Sequence, residues 1–281
     1  MKIKISSDST CDLSPELLKK YDITIAPLYI NRDGEFLKDA REITSAEIIE
    51  YTALSGKLCS TAAVSQYDYS ELFAEELKEA DAVIHITLSS EMSSCYQNAC
   101  NAAAELENVY VVDSRNLSSG QGHVVVQAAK LAAEENADPA AIVEKLNDIA
   151  TRVEASFILD RLDYMVKGGR CSMVAALGAN LLKLKPCIEV ADGKMRMAKK
   201  YRGNIARCVK DYVKDRLDGR DDIINDLAFI TFPSATDEML AAAHNAVDEY
   251  GHFDEVIETN AGCTITCHCG PNTLGVLFIR K

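Results

Sequence analysis

Two hydroxyl-rich loops within Asp81–Gly122 carry residue types whose spacing could hold an anion. Ser89, Ser90, Ser93 and Ser94 follow one short apolar run, Ala82–Thr87, and Asp113, Ser114, Ser118 and Ser119 follow a second, Val109–Val112. In an open parallel sheet, ligands collect at the loops beyond the carboxyl ends of the strands. A serine loop opening a helix offers hydroxyls, unpaired backbone N–H groups and the positive end of the helix dipole. The plainer role for the same serines is helix capping. Ser7-Asp8-Ser9-Thr10 is a third polar loop at a strand end. If the anion were a phosphate, Asp8, Ser93 and Asp113 would surround it, and the chain would be a phosphate- or acyl-handling transferase. Against that reading, there is no P-loop pattern, no dinucleotide fingerprint and no obvious carboxylate cluster for a metal.

The run CTITCHC, Cys263–Cys269, invites a zinc site, but its spacing argues against one. Read as a strand, Cys263–His268 sends Cys267 and Cys269 to one face and His268 to the other, so adjacent ligands cannot converge. The same divergence defeats a local Cys–His nucleophile pair, while Cys95 and Cys171 stay open. His85 and His123 sit in apolar stretches and read as structural. Arg170, after Gly168-Gly169, reads as part of a solvated turn.

These groups must be positioned by a chain of 281 residues with 48% hydrophobic content, enough for two packed units. Its net charge of −13 excludes nucleic acid and an anionic membrane surface as general partners. The one basic concentration, Lys194–Arg207, could face an acidic partner. The start MKIKISSDST has no signal-peptide core and no run is long enough to span a membrane, so a cytoplasmic protein is expected. The ten cysteines read as reduced thiols, with Cys100, Cys187 and Cys208 as small hydrophobes within apolar runs.

Strands are expected at Met1–Ser6, Asp22–Ile30, Ala82–Thr87 and Val109–Val112. Helices are expected after Ser14-Pro15-Glu16, after the capping box Thr44–Glu47, and over Asp68–Lys78, Asn98–Leu106, Leu117–Asn136 and Asp138–Arg152. That alternation predicts a parallel sheet covered on both faces. Past Ala155 the pattern changes. Ser156–Leu159 is a strand, a short helix breaks at Gly168-Gly169, and Met173–Leu182 is a helix. Pro186–Val190 and Lys194–Ala198 form a hairpin about Asp192-Gly193. Helices at Arg202–Leu217 and Asp237–Tyr250 alternate with strands at Leu227–Phe232, Glu255–Glu258 and Val276–Arg280. The fold class is α/β in two tightly joined domains, 1–154 with a parallel sheet and 155–281 with a mixed sheet.

Six blocks in register resemble the DegV family of bacterial fatty-acid-binding proteins. They are Ser7–Leu13, Ser90–Ala99, Val112-Asp113-Ser114 with Gly120-Gln121-Gly122, Leu162-Asp163-Tyr164 through Lys167–Ser172, Leu181–Pro186, and His268–Pro271 with Leu274-Gly275. The resemblance implies a fatty acid held with its carboxylate at the domain interface and its tail in the second domain. Carried over by position, Thr61, Ser93 and His268 would hold the head group, with Ser94 in support. Arg170 would meet a partner or organise a gate. Ala62-Ala63-Val64 departs from the family's Ser-Gln-Pro, and Ser94 stands where glycine is common.

A carboxylate leaving water needs several donors, which two hydroxyls, helix N–H groups and an imidazole can supply. Leu177, Leu181, Leu184, Ile188, Met195, Met197, Phe157 and Ile158 could line the tail. About fifteen buried methylenes at ~0.8 kcal/mol each give roughly 12 kcal/mol gross. The resemblance therefore implies a carrier with no catalysis and no cofactor of its own. It would present the fatty acid to a fatty acid kinase and deliver the acyl-phosphate through a transient contact with membrane acyltransferase machinery. A regulatory module without any small ligand is the third reading.

Overall fold

The computed structural model describes residues 1–171 and 184–281. The expected helix Met173–Leu182, with Leu177 and Leu181, lies outside the described residues.

The N-terminal sheet is parallel. Strands β1 (Ile3–Asp8), β2 (Ile23–Ala26), β6 (Ala82–Thr87) and β7 (Val109–Asp113) run in the order β2-β1-β6-β7. Every residue of β6 is buried, as a strand covered on both faces requires. One face packs on α3 (Gln66–Glu76) and α4 (Cys95–Ala103), the other on α5 (Ser119–Ala132) and α6 (Pro139–Arg152). The local signals work as expected. Ser14 caps α1 (Pro15–Lys20), and Thr44 and Glu47 form a reciprocal capping box on α2 (Ser45–Ser55).

The C-terminal sheet is mixed. It contains β8 (Val153–Ile158), β9 (Leu184–Ala191), β10 (Lys194–Arg202), β11 (Leu227–Phe232), β12 (Glu255–Asn260) and β13 (Leu274–Ile279), in the order β10-β9-β8-β13-β11-β12. Only β11 and β12 pair in parallel. The β9–β10 turn places Asp192 and Gly193 at φ 51° and 79°, the primed turn that Asp-Gly favours. Helices α8 (Ile205–Leu217) and α9 (Asp237–Tyr250) cover one face over a separate apolar cluster.

α5 joins the two sheets. Residues Ser119–Val126 are buried without interruption, so the helix has no solvent face in its first two turns. Two glycines permit this. A Cβ on Gly122 would meet the Cys11 carbonyl at 2.7 Å, and one on Gly120 would meet the Ala155 side chain at 3.0 Å. Between them Gln121 bonds Thr10, Ser7 and the Ile86 carbonyl.

Three expectations need correction. Asp22–Ile30 is not one strand: β2 ends before Pro27, and the chain re-enters at β3 (Tyr29–Arg32) in a second small sheet. Proline has no N–H for a ladder, which breaks the run there. That sheet, with β4 (Glu35–Lys38) and β5 (Ser60–Ala62), was not expected. Cys263–His268 is not a strand but part of helix α10 (Cys263–Cys269). Its β-branched residues suit a strand, but its first turn is capped by carboxylates distant in sequence.

Asp39, 1% exposed, accepts bonds from the N–H groups of Cys263 (2.9 Å) and Thr264 (3.1 Å) and from the hydroxyls of Thr264 (2.7 Å) and Ser9 (3.1 Å). Asp12 accepts from the Gly262 N–H at 2.9 Å and the Ser118 hydroxyl at 2.5 Å. Burial holds the Asp12 carboxyl well above the usual range, so its hydrogen bonds offset only part of the lost hydration. Among the described residues no helix is long and apolar enough to cross a membrane.

Asp39→Ala leaves two buried N–H groups and two hydroxyls without their acceptor. A loss of at least about 3 kcal/mol is expected in denaturant unfolding, and an unchanged midpoint would show that α10 does not depend on this cap.

Candidate functional site

α10 presents Ile265, His268 and Cys269 on one face, at i, i+3 and i+4. This face closes a cavity of about 110 Å³ against β5 and the loop that opens α4. Thr61, Ser93, Ser94, Arg170 and His268, the five expected site residues, all line it. Leu28, Leu88, Met92, Leu117 and Met195 give the remaining wall its apolar character.

Thr61 stands in β5 opposite Ile30, and its Oγ1 lies 2.9 Å from His268 Nε2. The other ring nitrogen, Nδ1, is buried without a partner among the described residues. An unpaired N–H costs more than an unpaired lone pair, which places the ring proton on Nε2. Nε2–H then donates to Thr61, and the threonine hydroxyl keeps its own proton for a third group. Burial, with Arg170 nearby as a smaller cause, depresses the His268 pKa to about 4, so the ring is neutral at pH 7. Gly168 packs directly on the ring: a Cβ there would lie 2.2 Å from Nδ1.

Ser93 Oγ accepts from the Cys95 N–H at 3.2 Å and donates to Cys95 Sγ at 3.1 Å. Sulfur is a weak acceptor, so this proton can turn to an anion at little cost. Ser94 is the exposed cap residue of α4, and its side chain makes no capping bond. Arg170 is exposed and donates to the Gly168 carbonyl at 2.7 Å, which sets it at the rim as a positive charge. Donors and positive potential thus converge from three elements on one partly dry site.

The remaining serines do structural work. Ser89 Oγ donates to the Gly193 carbonyl and docks the β9–β10 turn, and Ser90 Oγ donates to Asp113. Asp113 also accepts from the Ser90 and Arg115 N–H groups. Ser114 bonds within its own turn, Ser118 bonds Asp12, and Ser119 bonds Thr231. Asp8 is fully buried and bonded to Tyr69, His85 and the Leu88 N–H. Asp8, Ser93 and Asp113 therefore do not surround an anion. His85 and His123 are hydrogen-bonded core residues, as expected. Burial pushes the Cys95 thiol up to about 12, which leaves it unreactive. Among the described residues, no group of three His, Cys, Asp or Glu could hold a metal.

The apolar lining is only partly as expected. Phe157 and Ile188 belong to the core beneath the cavity, with Met195 and Met197 packed against it. Ile158 points to the opposite face of the sheet and packs with α8 and α9, because neighbours along a strand alternate. Leu117, Ile265 and Cys269 continue from the first cavity into a second of about 20 Å³ beside Phe157, Gly275 and Leu277. Leu28, Leu88, Met92, Leu117 and Ile265 were not anticipated. For Ile265 a signal existed, since Ile265, His268 and Cys269 share helical spacing.

A family model described as "Uncharacterised protein, DegV family" matches residues 2–281. A DegV domain-containing protein of Clostridium acetobutylicum is 34% identical over 284 residues, covering 100% of this chain and 99% of the relative. A protein of Thermotoga maritima named as fatty acid-binding is 31% identical, covering 98% of this chain and 96% of its own. Among solved structures, one of a DegV family protein from Thermus thermophilus, described by its fatty acid binding, superposes with a TM-score of 0.89. It is 28% identical, with 100% of both chains covered.

Below the free histidine value near 6.5 the unfolded chain takes up a proton that folded His268, held at about 4, does not. Its contribution to stability is thus complete above about pH 6.5 and is lost as pH falls to about 4. His268→Gln is expected to flatten the pH dependence of unfolding in that window. His123, also held at about 4 by burial, leaves a residual slope. An unchanged profile would place His268 in water.

Proposed function

Since the chain belongs to the DegV family, we propose that it binds a long-chain fatty acid with the carboxylate at Thr61, Ser93 and His268. The observation that carries this reading is the cavity itself, which joins a converging set of donors to an apolar wall. The Thr61 hydroxyl, oriented by neutral His268, and the Ser93 hydroxyl each donate a hydrogen bond to a carboxylate oxygen. Ser94 and the N–H groups of Tyr96 and Gln97 in the first turn of α4 supply further donors, the Cys95 N–H being held by Ser93. The tail runs past Leu117 and Ile265 toward Phe157 and Leu277. Ligand pockets of about 300–1,000 Å³ are usual, so a long chain must displace side chains here. Met92, Met195 and Met197 are unbranched and repack easily.

The protein carries no chemistry of its own in this reading. It presents the carboxylate to a separate fatty acid kinase, retains the acyl-phosphate and passes it to a membrane acyltransferase. Arg170 would meet the kinase or steady the mouth, a role its exposed position at the rim supports. The relatives described as fatty-acid-binding support a carrier over a transferase.

Denaturing organic extraction followed by mass spectrometry is expected to release a near-stoichiometric fatty acid. An empty extract from protein that also takes up no added fatty acid would overturn the reading. Ser93→Ala should leave the fold intact and lower kinase-coupled acyl-phosphate formation about tenfold, the worth of one charge-assisted hydrogen bond. Unchanged coupled activity would remove Ser93 from the site.

A further inference from the structure

A second cavity, larger and polar, lies where β8, β9 and β10 of the C-terminal sheet meet the β7–α5 loop and the end of α6, away from the Thr61–His268 site. Its volume is about 540 Å³, and five arginines line it against three carboxylates in a chain of net charge −13. The arginines form two tiers. Arg216 and Arg220 are the inner pair, with side chains 16% and 22% exposed. Glu154 on β8 accepts two bonds from Arg220 Nη1, at 2.8 and 2.7 Å, and Glu189 on β9 accepts from Arg216 at 2.9 Å. Those ion pairs fix the floor.

The outer tier has donors to spare. Arg196 on β10 donates through Nε to Glu189 at 2.7 Å, and its terminal amino groups have no acceptor among the described residues. Arg280, after β13, donates through Nη2 to the Thr151 carbonyl, its buried Nε pairs with Glu154 at 3.9 Å, and its Nη1 has no acceptor among the described residues. Arg115, in the β7–α5 loop, has a single ion pair at 3.9 Å, to an aspartate side chain that is 96% exposed. Three guanidinium groups from three separate segments thus face one cavity with unspent N–H donors. Guanidinium forks match phosphate oxygens, and like charges held close gain most from a multivalent anion.

We infer that this crevice binds a small polyanion of the pyrophosphate class, bridging Arg115 of the N-terminal half to Arg196 and Arg280 of the C-terminal half. The occupant is a soluble phosphorylated molecule, since the volume suits a compact ligand and the lining is polar. The site is independent of the fatty-acid reading and shares no lining residue with it.

Titration calorimetry of the full chain with inorganic pyrophosphate at low ionic strength tests the inference. Saturable binding at one site per chain is expected, weakened about tenfold by Arg196→Gln and by Arg115→Gln. Arg115 makes so little contact that its variant keeps the fold, whatever Arg196→Gln does. Lys20→Gln, on α1, removes the same charge elsewhere and should leave the affinity unchanged. Either no saturable binding at millimolar pyrophosphate or equal weakening by Lys20→Gln overturns the inference.

Discussion

The site depends on one buried carboxylate. Asp39 sits in the loop after β4, almost wholly out of water, and its two oxygens take four donors. Two of those donors are the first N–H groups of α10, so the charge also faces the positive end of that helix. The same carboxylate bonds Ser9, whose oxygen in turn accepts the N–H of Leu28, a residue of the cavity wall. One acid therefore sets the helix bearing His268, the loop after β1 and a part of the apolar lining. A buried carboxylate is tolerable only when so fully bonded, and the bonding fixes the position of everything attached to it.

The fatty acid proposed for this cavity would place two opposing requirements on it. A carboxylate wants donors and water, and an acyl chain wants neither. Neutral His268 reconciles them: burial removes its charge, yet its Nε2–H orients Thr61 as a donor. Gly168 lets the ring sit flush against α7 (Asp163–Gly168), and Gly169 at φ 67° closes that helix. The adjacent glycines thus have separate duties, close approach for one and a left-handed cap for the other. Arg170 is thereby placed at the rim with its charge in solvent.

Much of the fold was legible because its signals are local. The capping box at Thr44–Glu47, the Ser14-Pro15 start and the Asp192-Gly193 turn each specify a boundary within four residues. The break at Pro27 was legible in principle, but the small sheet it leads to is built from three- and four-residue strands with little periodicity. α10 was misread because its helicity is imposed by Asp39 and Asp12, more than two hundred residues away. The serines show the same limit. Composition marks eight residues in two loops as able to bind an anion, while only tertiary contacts leave Ser93 and Ser94 at a cavity and tie Ser89, Ser90, Ser118 and Ser119 to Gly193, Asp113, Asp12 and Thr231. The five expected site residues came from the resemblance in order and spacing, and they meet in one place because α10 crosses back to the N-terminal half.

The most direct test is a crystal structure of the full chain with a fatty acid brominated at its terminal carbon, recorded at the bromine absorption edge. The expected anomalous peak lies beyond Leu117 and Ile265, beside Phe157 and Leu277, with the carboxylate within hydrogen-bond distance of Thr61 Oγ1 and Ser93 Oγ. A bromine peak at the Arg170 rim, or a carboxylate seated among Arg115, Arg196 and Arg280, would contradict the assignment of the site.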